Sequence, residues 1–171
     1  MYRPAVWLVV FLFIGLSCGC GRKDTAFLPP RPAGLAIVTI ADEERQRLSP
    51  DDGVILLQVT NWLDQDIGRR LRDQGFEIAL LPDMKSYKST MGPLLIIHID
   101  SFEPGIAANL PNRKASELPS ALIVEYRLLD ERGALLDQWQ DGAESIKGGT
   151  YCARTLNRKA IERISAAFRE R

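Results

Sequence analysis

His98 is the only histidine in the chain, and it is therefore the first residue to consider for chemistry. It stands two residues before Asp100 in the apolar segment 94–102, which predicts a strand with both side chains on one face. A histidine and a carboxylate so placed could form an acid/base couple. Because no serine or cysteine nucleophile motif accompanies them, we interpret His98 as a hydrogen-bonded structural residue.

The sequence predicts no metal or cofactor site. Zinc sites use three or four His, Cys or carboxylate ligands at characteristic spacings, and no such spacing is found here. The Gly-Gly-Thr segment at 148–150 resembles a phosphate-cradling turn, but the Gly-x-x-x-x-Gly-Lys pattern is missing and a plain helix start is favoured. With no convergent catalytic constellation, we expect that the protein is not an enzyme.

Two acidic pairs are interpreted without carboxylate chemistry. Asp51 and Asp52 follow Ser49 and a proline, which is typical of a helix start with the serine as N-cap. Asp64 and Asp66 fall in the same predicted helix, and we expect them on its solvent face as solvated charge.

The first residues of the chain predict an export signal. One basic residue, Arg3, precedes an unbroken apolar run over residues 5–16, and small residues follow it. A helix that spans a bilayer needs about 20 apolar residues, so this run is short for a membrane anchor. We therefore expect export and removal of residues 1–19.

The end of this run, Leu16-Ser17-Cys18-Gly19-Cys20, resembles the lipobox of bacterial lipoproteins. The resemblance implies a lipidated cysteine exposed by cleavage just before it. We favour Cys20, because the residues before it are smaller than those before Cys18, which remains the alternative. Glycine follows either cysteine, which by resemblance to enterobacterial sorting implies the outer membrane. The proline-rich residues 20–34 would then form a tether.

The third cysteine, Cys152, lies in the last predicted helix. It is the only thiol of the mature chain if Cys20 is acylated, whereas Cys20 and Cys152 could pair if Cys18 is acylated. We interpret Cys152 as a buried core residue.

Composition fits one folded domain over residues 35–171. Apolar residues make up 46% of the chain and charged residues 26%, which are ordinary globular values. The 22 basic and 22 acidic side chains balance, which argues against nucleic-acid binding because such domains usually carry a basic excess.

The pattern of the domain predicts an α+β fold of order βαββββα, with two helices on one face of a mixed sheet. A central position is expected for the third strand, which is apolar on both faces at its start. Strands are predicted at 35–40, 76–81, 94–102, 121–129 and 134–140, and helices at 50–74 and 150–168.

The domain also resembles small envelope lipoproteins over roughly residues 35–168. The likeness lies in Arg-Arg-Leu-Arg-Asp-Gln-Gly-Phe at 69–76 and in the hairpin from Val124 to Trp139. It extends to the αβ arrangement of the curli-secretion and lipopolysaccharide-assembly lipoproteins. The resemblance implies a lipid-anchored, non-enzymatic envelope domain with a protein partner, accessory to secretion or outer-membrane assembly.

Candidate partner contacts are Trp139, Arg113 and Lys114. Trp139 alternates with polar residues in the hairpin, and its face is interpreted as open or as covering the core. Arg113 and Lys114 lie in the connection 103–119, which is long for a compact domain. The alternative function is a lipid-tethered binder of a small molecule, lipid or glycan in a pocket between the sheet and this connection.

Overall fold

A computed structural model describes residues 34–105 and 118–169. The described chain contains five strands and three α-helices, with two short 3-10 turns between the second and third strands at Met84–Ser86 and Ser89–Met91. In chain order the elements are β1 (Leu35–Ile40), α1 (Asp42–Arg47), α2 (Pro50–Asp73), β2 (Ile78–Leu81), β3 (Leu94–Glu103), β4 (Ser120–Leu129), β5 (Leu135–Ser145) and α3 (Gly149–Ala167).

The strands form one mixed sheet in the order β2-β1-β3-β4-β5. β1 pairs in parallel with β2 and with β3, and β3, β4 and β5 pair antiparallel. The predicted α+β class, the parallel pair joined through a helix and the central place of β3 are confirmed. β2 begins at Ile78, so Phe76, predicted as its first residue, instead packs in the core as part of the turn before the strand.

Helix α2 begins where capping predicts. The Ser49 hydroxyl accepts a hydrogen bond from the backbone N–H of Asp52, and Pro50 occupies the first helical position. The capping interpretation of Asp51 and Asp52 is thereby confirmed. One stripe of the helix is buried against the sheet and α3, and it consists of Leu56, Val59, Leu63, Ile67 and Leu71.

Helix α3 packs beside α2 at a point of close approach. A Cβ atom at Gly149 would lie 2.7 Å from Val59 and 2.8 Å from Phe102, so only glycine fits there without a shift. This steric demand accounts for the glycine at the helix start, in agreement with the plain helix start predicted for 148–150.

Helix α1 was not predicted, because its sequence Asp-Glu-Glu-Arg-Gln-Arg has no apolar stripe. A tertiary hydrogen bond accounts for its place. The buried Glu44 carboxylate accepts from the backbone N–H of Phe102 in β3 at 2.8 Å. β1 pairs with β3 only as far as His98. Helix α1 therefore lies beside the rest of β3, where β1 no longer pairs with it.

Candidate functional site

The two faces of the sheet differ in character. Residues 95, 97 and 99 of β3 and 122, 124, 126 and 128 of β4 enter the core with α2 and α3. On the opposite face, a small apolar cluster around Ala36, Val38 and Leu94 is packed by Tyr87 and Met91. Farther along the strands this face becomes polar. We call the polar part the open-face network, made up of His98, Asp100, Glu125, Arg127, Gln138 and Gln140.

Strand register brings the open-face network together. His98 of β3 lies directly opposite Glu125 of β4, and Glu125 lies opposite Gln140 of β5. Side chains directly across an antiparallel pair have Cβ atoms about 5 Å apart. Asp100, two residues after His98, is the unpaired residue of a bulge between residues 99 and 101, and its carboxylate lies beside His98.

The acidic groups of the network are held by hydrogen bonds. His98 Nδ1 lies 2.7 Å from Asp100 Oδ1, and Gln140 Nε2 donates to Asp100 Oδ2 at 2.7 Å. Arg127 donates to both oxygens of Glu125, at 3.0 and 2.9 Å, and Gln138 donates to Glu125 as well. The side chains of His98 and Asp100 are 30% and 27% exposed, so solvent reaches them.

The charge state of Glu125 follows from its neighbours. The hydrogen bond from Arg127 is the largest influence and lowers the pKa of the Glu125 carboxyl below its ordinary value; burial opposes this, and the Gln138 bond assists it. Glu125 is therefore an ionised acceptor at neutral pH.

Sequence reasoning missed Glu125. His98, Asp100 and Glu125 present ligand atoms that all lie within 4.8 Å of one another, an arrangement that can hold a metal ion. The expectation of no metal site rested on the spacing of ligand residues along the chain, whereas Glu125 comes from the neighbouring strand β4. The alternation of burial in β4 was the signal that could have found Glu125. It places Glu125 and Arg127 on one face of the sheet and the buried Val124 and Tyr126 on the other.

The interpretation of Trp139 as a partly open partner contact is wrong. Its side chain is 7% exposed and stacks on Tyr126 with ring centroids 4.8 Å apart. The guanidinium of Arg163 covers the ring at 4.8 Å, and Arg163 is fixed by Asp137 at 2.6 Å. Trp139 is a core residue.

The remaining predicted site residues divide into two groups. Cys18, Cys20, Arg113 and Lys114 lie outside the described residues. Cys152 is fully buried, and its thiol donates to the Ser120 carbonyl at 3.2 Å, which confirms the core interpretation. Burial raises the pKa of the Cys152 thiol, so the neutral form is favoured.

The expectation that Asp64 and Asp66 are solvated is wrong. Asp66 is 5% exposed and accepts from Arg69 at 2.7 Å, Arg70 at 2.8 Å and Asn157 at 3.2 Å. Burial alone would raise the pKa of Asp66, but these bonds together lower it. Asp64 is half-buried and accepts from the Thr39 hydroxyl of β1, and burial raises the pKa of its carboxyl. Asp64 therefore lies at the contact of α2 with β1, and Asp66 at the contact of α2 with α3.

An open groove of about 530 Å³ lies at the β2 side of the sheet. Its lining includes Ile78, Ala79, Met91, Glu77 and Glu131. It does not lie against the open-face network. The pocket predicted between the sheet and the connection 103–119 involves residues outside the described chain.

No helix in the described part of the chain has the length and apolar character to cross a membrane. No protein-family model and no curated protein matches the sequence.

Several solved structures are similar to this chain. One is PelC from Paraburkholderia phytofirmans, a dodecamer, with 15% identity over 75% of this chain and 86% of that chain, at a TM-score of 0.48. Another is a minor lipoprotein from Acinetobacter baumannii, with 14% identity over 78% and 93% and a TM-score of 0.47. A third is the lipoprotein GNA1162 from Neisseria meningitidis, with 10% identity over 78% and 99% and a TM-score of 0.41. Two of these three are lipoproteins by name; likeness at this level says nothing about function.

Proposed function

We propose that the protein is a lipid-anchored interaction domain of the bacterial cell envelope, without enzymatic activity. The anchor is a fatty-acylated cysteine, Cys20 or alternatively Cys18, and the domain faces the periplasm from the outer membrane. We favour a role that is accessory to secretion or to outer-membrane assembly.

Support for the anchor comes from the leader. Its apolar run over residues 5–16 is followed at once by small residues and cysteines, and then by the charged residues Arg22 and Lys23. Each buried CH₂ of an acyl chain contributes about 0.8 kcal/mol, so the two or three chains of a lipoprotein cysteine suffice for stable attachment.

The observation that carries the interaction role is the open-face network. Both long helices pack on the other face of the sheet. On the open face, Gln140 of β5 holds Asp100 of β3, and Gln138 of β5 holds Glu125 of β4, while these side chains stay at least partly exposed. A surface whose polar groups are already oriented loses little entropy when a partner binds, which favours recognition of a polar protein surface.

Mass spectrometry of the mature N-terminus from bacterial cells tests the anchor. We expect an acylated peptide that begins at Cys20 and is lost in Cys20→Ala but kept in Cys18→Ala. An acylated peptide beginning at Cys18 would reverse the preference between the two cysteines. A chain that keeps Met1 and carries no acyl group contradicts the lipoprotein proposal.

Site-specific photocrosslinking in cells tests the interaction surface. A photoreactive residue at Gln140, on the open face, is expected to give a discrete adduct with an envelope protein. The matched control is Glu162, an exposed residue of α3 on the helix side. Equal adducts at both positions, or none at Gln140, contradict a specific partner on the open face.

The groove beside β2 supports a second candidate, a tethered binder of a small molecule, lipid or glycan. Its volume of about 530 Å³ falls within the range of ligand sites, about 300–1,000 Å³. It is open rather than enclosed, and it carries the carboxylates of Glu77 and Glu131. Native mass spectrometry of protein purified from cells distinguishes the two candidates, since only the second predicts a co-purified small ligand that Ala79→Trp removes.

A further inference from the structure

We propose that His98, Asp100 and Glu125 form a binding site for a divalent transition-metal ion such as Zn²⁺. The site lies on the open sheet face across β3 and β4. It does not depend on the lipid anchor, and it shares its residues with the surface proposed above for a protein partner.

The donor set is suited to zinc. A neutral imidazole nitrogen and carboxylate oxygens are ordinary Zn²⁺ ligands at about 2.0–2.2 Å, and three protein ligands leave a position for water or a further group. Among divalent ions from Mn²⁺ to Zn²⁺, affinity for such mixed nitrogen and oxygen sites generally rises to Cu²⁺ and falls again at Zn²⁺, and imidazole suits Zn²⁺ as well as Cu²⁺.

The ligand atoms are close to the spacing that a metal requires. Around a tetrahedral ion with bonds of about 2.1 Å, ligand atoms lie about 3.4 Å apart. Here the three ligand atoms are all within 4.8 Å of one another, and His98 Nδ1 is 2.7 Å from Asp100 Oδ1. Small side-chain rotations of these partly exposed residues separate the close pair and bring Glu125 nearer, while the strand register keeps the backbones fixed.

Neighbouring side chains orient the carboxylates as outer-shell partners do in metal sites. Gln140 holds one oxygen of Asp100 at 2.7 Å, which leaves the other directed toward His98. Gln138 holds Glu125, whereas Arg127 occupies both of its carboxylate oxygens and competes with a metal for them. Each carboxylate has about four acceptor positions, so these bonds leave room for a metal.

The local charge favours a cation but is partly offset. Asp100 and Glu125 contribute two negative charges, and Arg127, at 2.9 Å from Glu125 Oε2, contributes one positive charge. Because the Arg127 guanidinium repels a bound cation, its removal is expected to strengthen metal binding. A network that is only structural predicts no such gain, so this variant separates the two interpretations.

The test uses the full chain in detergent, purified without a polyhistidine tag, freed of metal with a chelator and titrated with ZnCl₂. Because the chain has a single histidine, its imidazole nitrogen signals in NMR report on this site alone. We expect saturable binding of one Zn²⁺ per chain that shifts these signals. His98→Ala and Glu125→Gln should each weaken binding at least about tenfold, and Arg127→Gln should tighten it.

The matched control is Asp137→Asn, which removes a partly exposed carboxylate from β5 that is held by Arg163 on the helix side. Its Zn²⁺ affinity should equal that of the parent. Circular dichroism of each variant shows whether the fold is kept, and the Arg127→Gln gain cannot come from unfolding. Binding that leaves the imidazole signals unmoved, as at leader thiols, overturns the proposal, as does an unchanged affinity in Glu125→Gln.

Discussion

Asn157 of α3 donates a hydrogen bond to the Asp66 carboxylate of α2, with 3.2 Å between Nδ2 and Oδ2. The same amide group donates to the Leu63 carbonyl at 3.0 Å, and Asn157 is fully buried. One side chain therefore satisfies a backbone carbonyl and a buried charge across the interface between the two long helices. Since Arg69 and Arg70 bind Asp66 from the outer side, the carboxylate has partners in both directions.

Replacing this amide should destabilise the fold. Asn157→Ala leaves Leu63 O and one Asp66 oxygen without that donor, which lowers the free energy of unfolding by about 1–3 kcal/mol. Urea unfolding of the purified protein measures the change. Asn61→Ala, an exposed asparagine of α2, serves as the control and should stay within about 0.5 kcal/mol of the parent. Equal effects of the two variants would contradict the role assigned to Asn157.

The half-buried Asp64 predicts a stability change of defined sign with pH. Burial raises the pKa of Asp64 above its ordinary value of 3.8, so the folded protein binds its proton more tightly than the unfolded chain. The ionised carboxylate therefore opposes folding at neutral pH, and this effect vanishes as the pH falls below 3.8. Asp64→Asn should raise the free energy of unfolding at pH 7, by about 1 kcal/mol or less, with little effect at pH 3.5.

Asp83 provides the control of opposite sign. The Ser86 hydroxyl and backbone N–H lower the pKa of this exposed carboxyl, so its stabilising contribution is present above pH 3.8 and is lost as the pH falls through the lowered value. Asp83→Asn should therefore never stabilise the protein at pH 7. Urea midpoints between pH 3.5 and 7 test both variants, and a stabilisation by Asp64→Asn that grows toward low pH would refute the assignment.

Two helical glycines should respond oppositely to alanine. In Gly149→Ala the new methyl group would meet Val59 at 2.7 Å and Phe102 at 2.8 Å, and the resulting overpacking should lower the free energy of unfolding by about 1–3 kcal/mol. In Gly53→Ala the nearest atom is Arg45 Cγ at 3.8 Å, so helix propensity should raise stability by up to about 1 kcal/mol. Thermal unfolding of both variants checks this, and a stabilised Gly149→Ala would show that α2 and α3 are not so closely packed.

Tyr126 carries a hydroxyl that we expect to add nothing to the stability of the fold. Its oxygen is buried and has no hydrogen-bond partner among the described residues, and burial raises the pKa of the phenol so that it stays neutral. Tyr126→Phe should leave the free energy of unfolding unchanged or raise it by up to about 1 kcal/mol. Trp139→Ala, which empties the stacked position beside it, should lower it by about 3–5 kcal/mol. A loss above 1 kcal/mol in Tyr126→Phe would indicate a partner for the hydroxyl.

Local signals account for the elements that the sequence predicted correctly. Ser49 and Pro50 mark the start of α2, and Gly133, with a φ of +81°, completes the turn between β4 and β5. Helix α1 carries no such signal, because it depends on Glu44 reaching a strand that lies 58 residues away. The class and order of the fold were therefore readable, and a helix held by a distant contact was not.

The site depended on information that one sequence does not hold. Alternation placed Trp139 on the face opposite Gln138 and Gln140, as the structure has it, but its exposure depends on Arg163 from α3. Likewise, Glu125 becomes a neighbour of His98 only through strand register. Helical spacing put Asp66 outside the main apolar stripe, and the second helix that covers it could not be inferred from α2 alone.

The hydrogen bond to the Glu44 carboxylate also limits where another strand could pair with this sheet. Past the end of β1, a foreign strand would need the backbone N–H of Phe102 to anchor itself beside β3, and that donor is already engaged. Helix α1 therefore covers a strand edge that could otherwise pair with a strand of another molecule and lead to aggregation. Further strands can therefore add to the described sheet at its two edge strands, β2 with four residues and β5 with eleven.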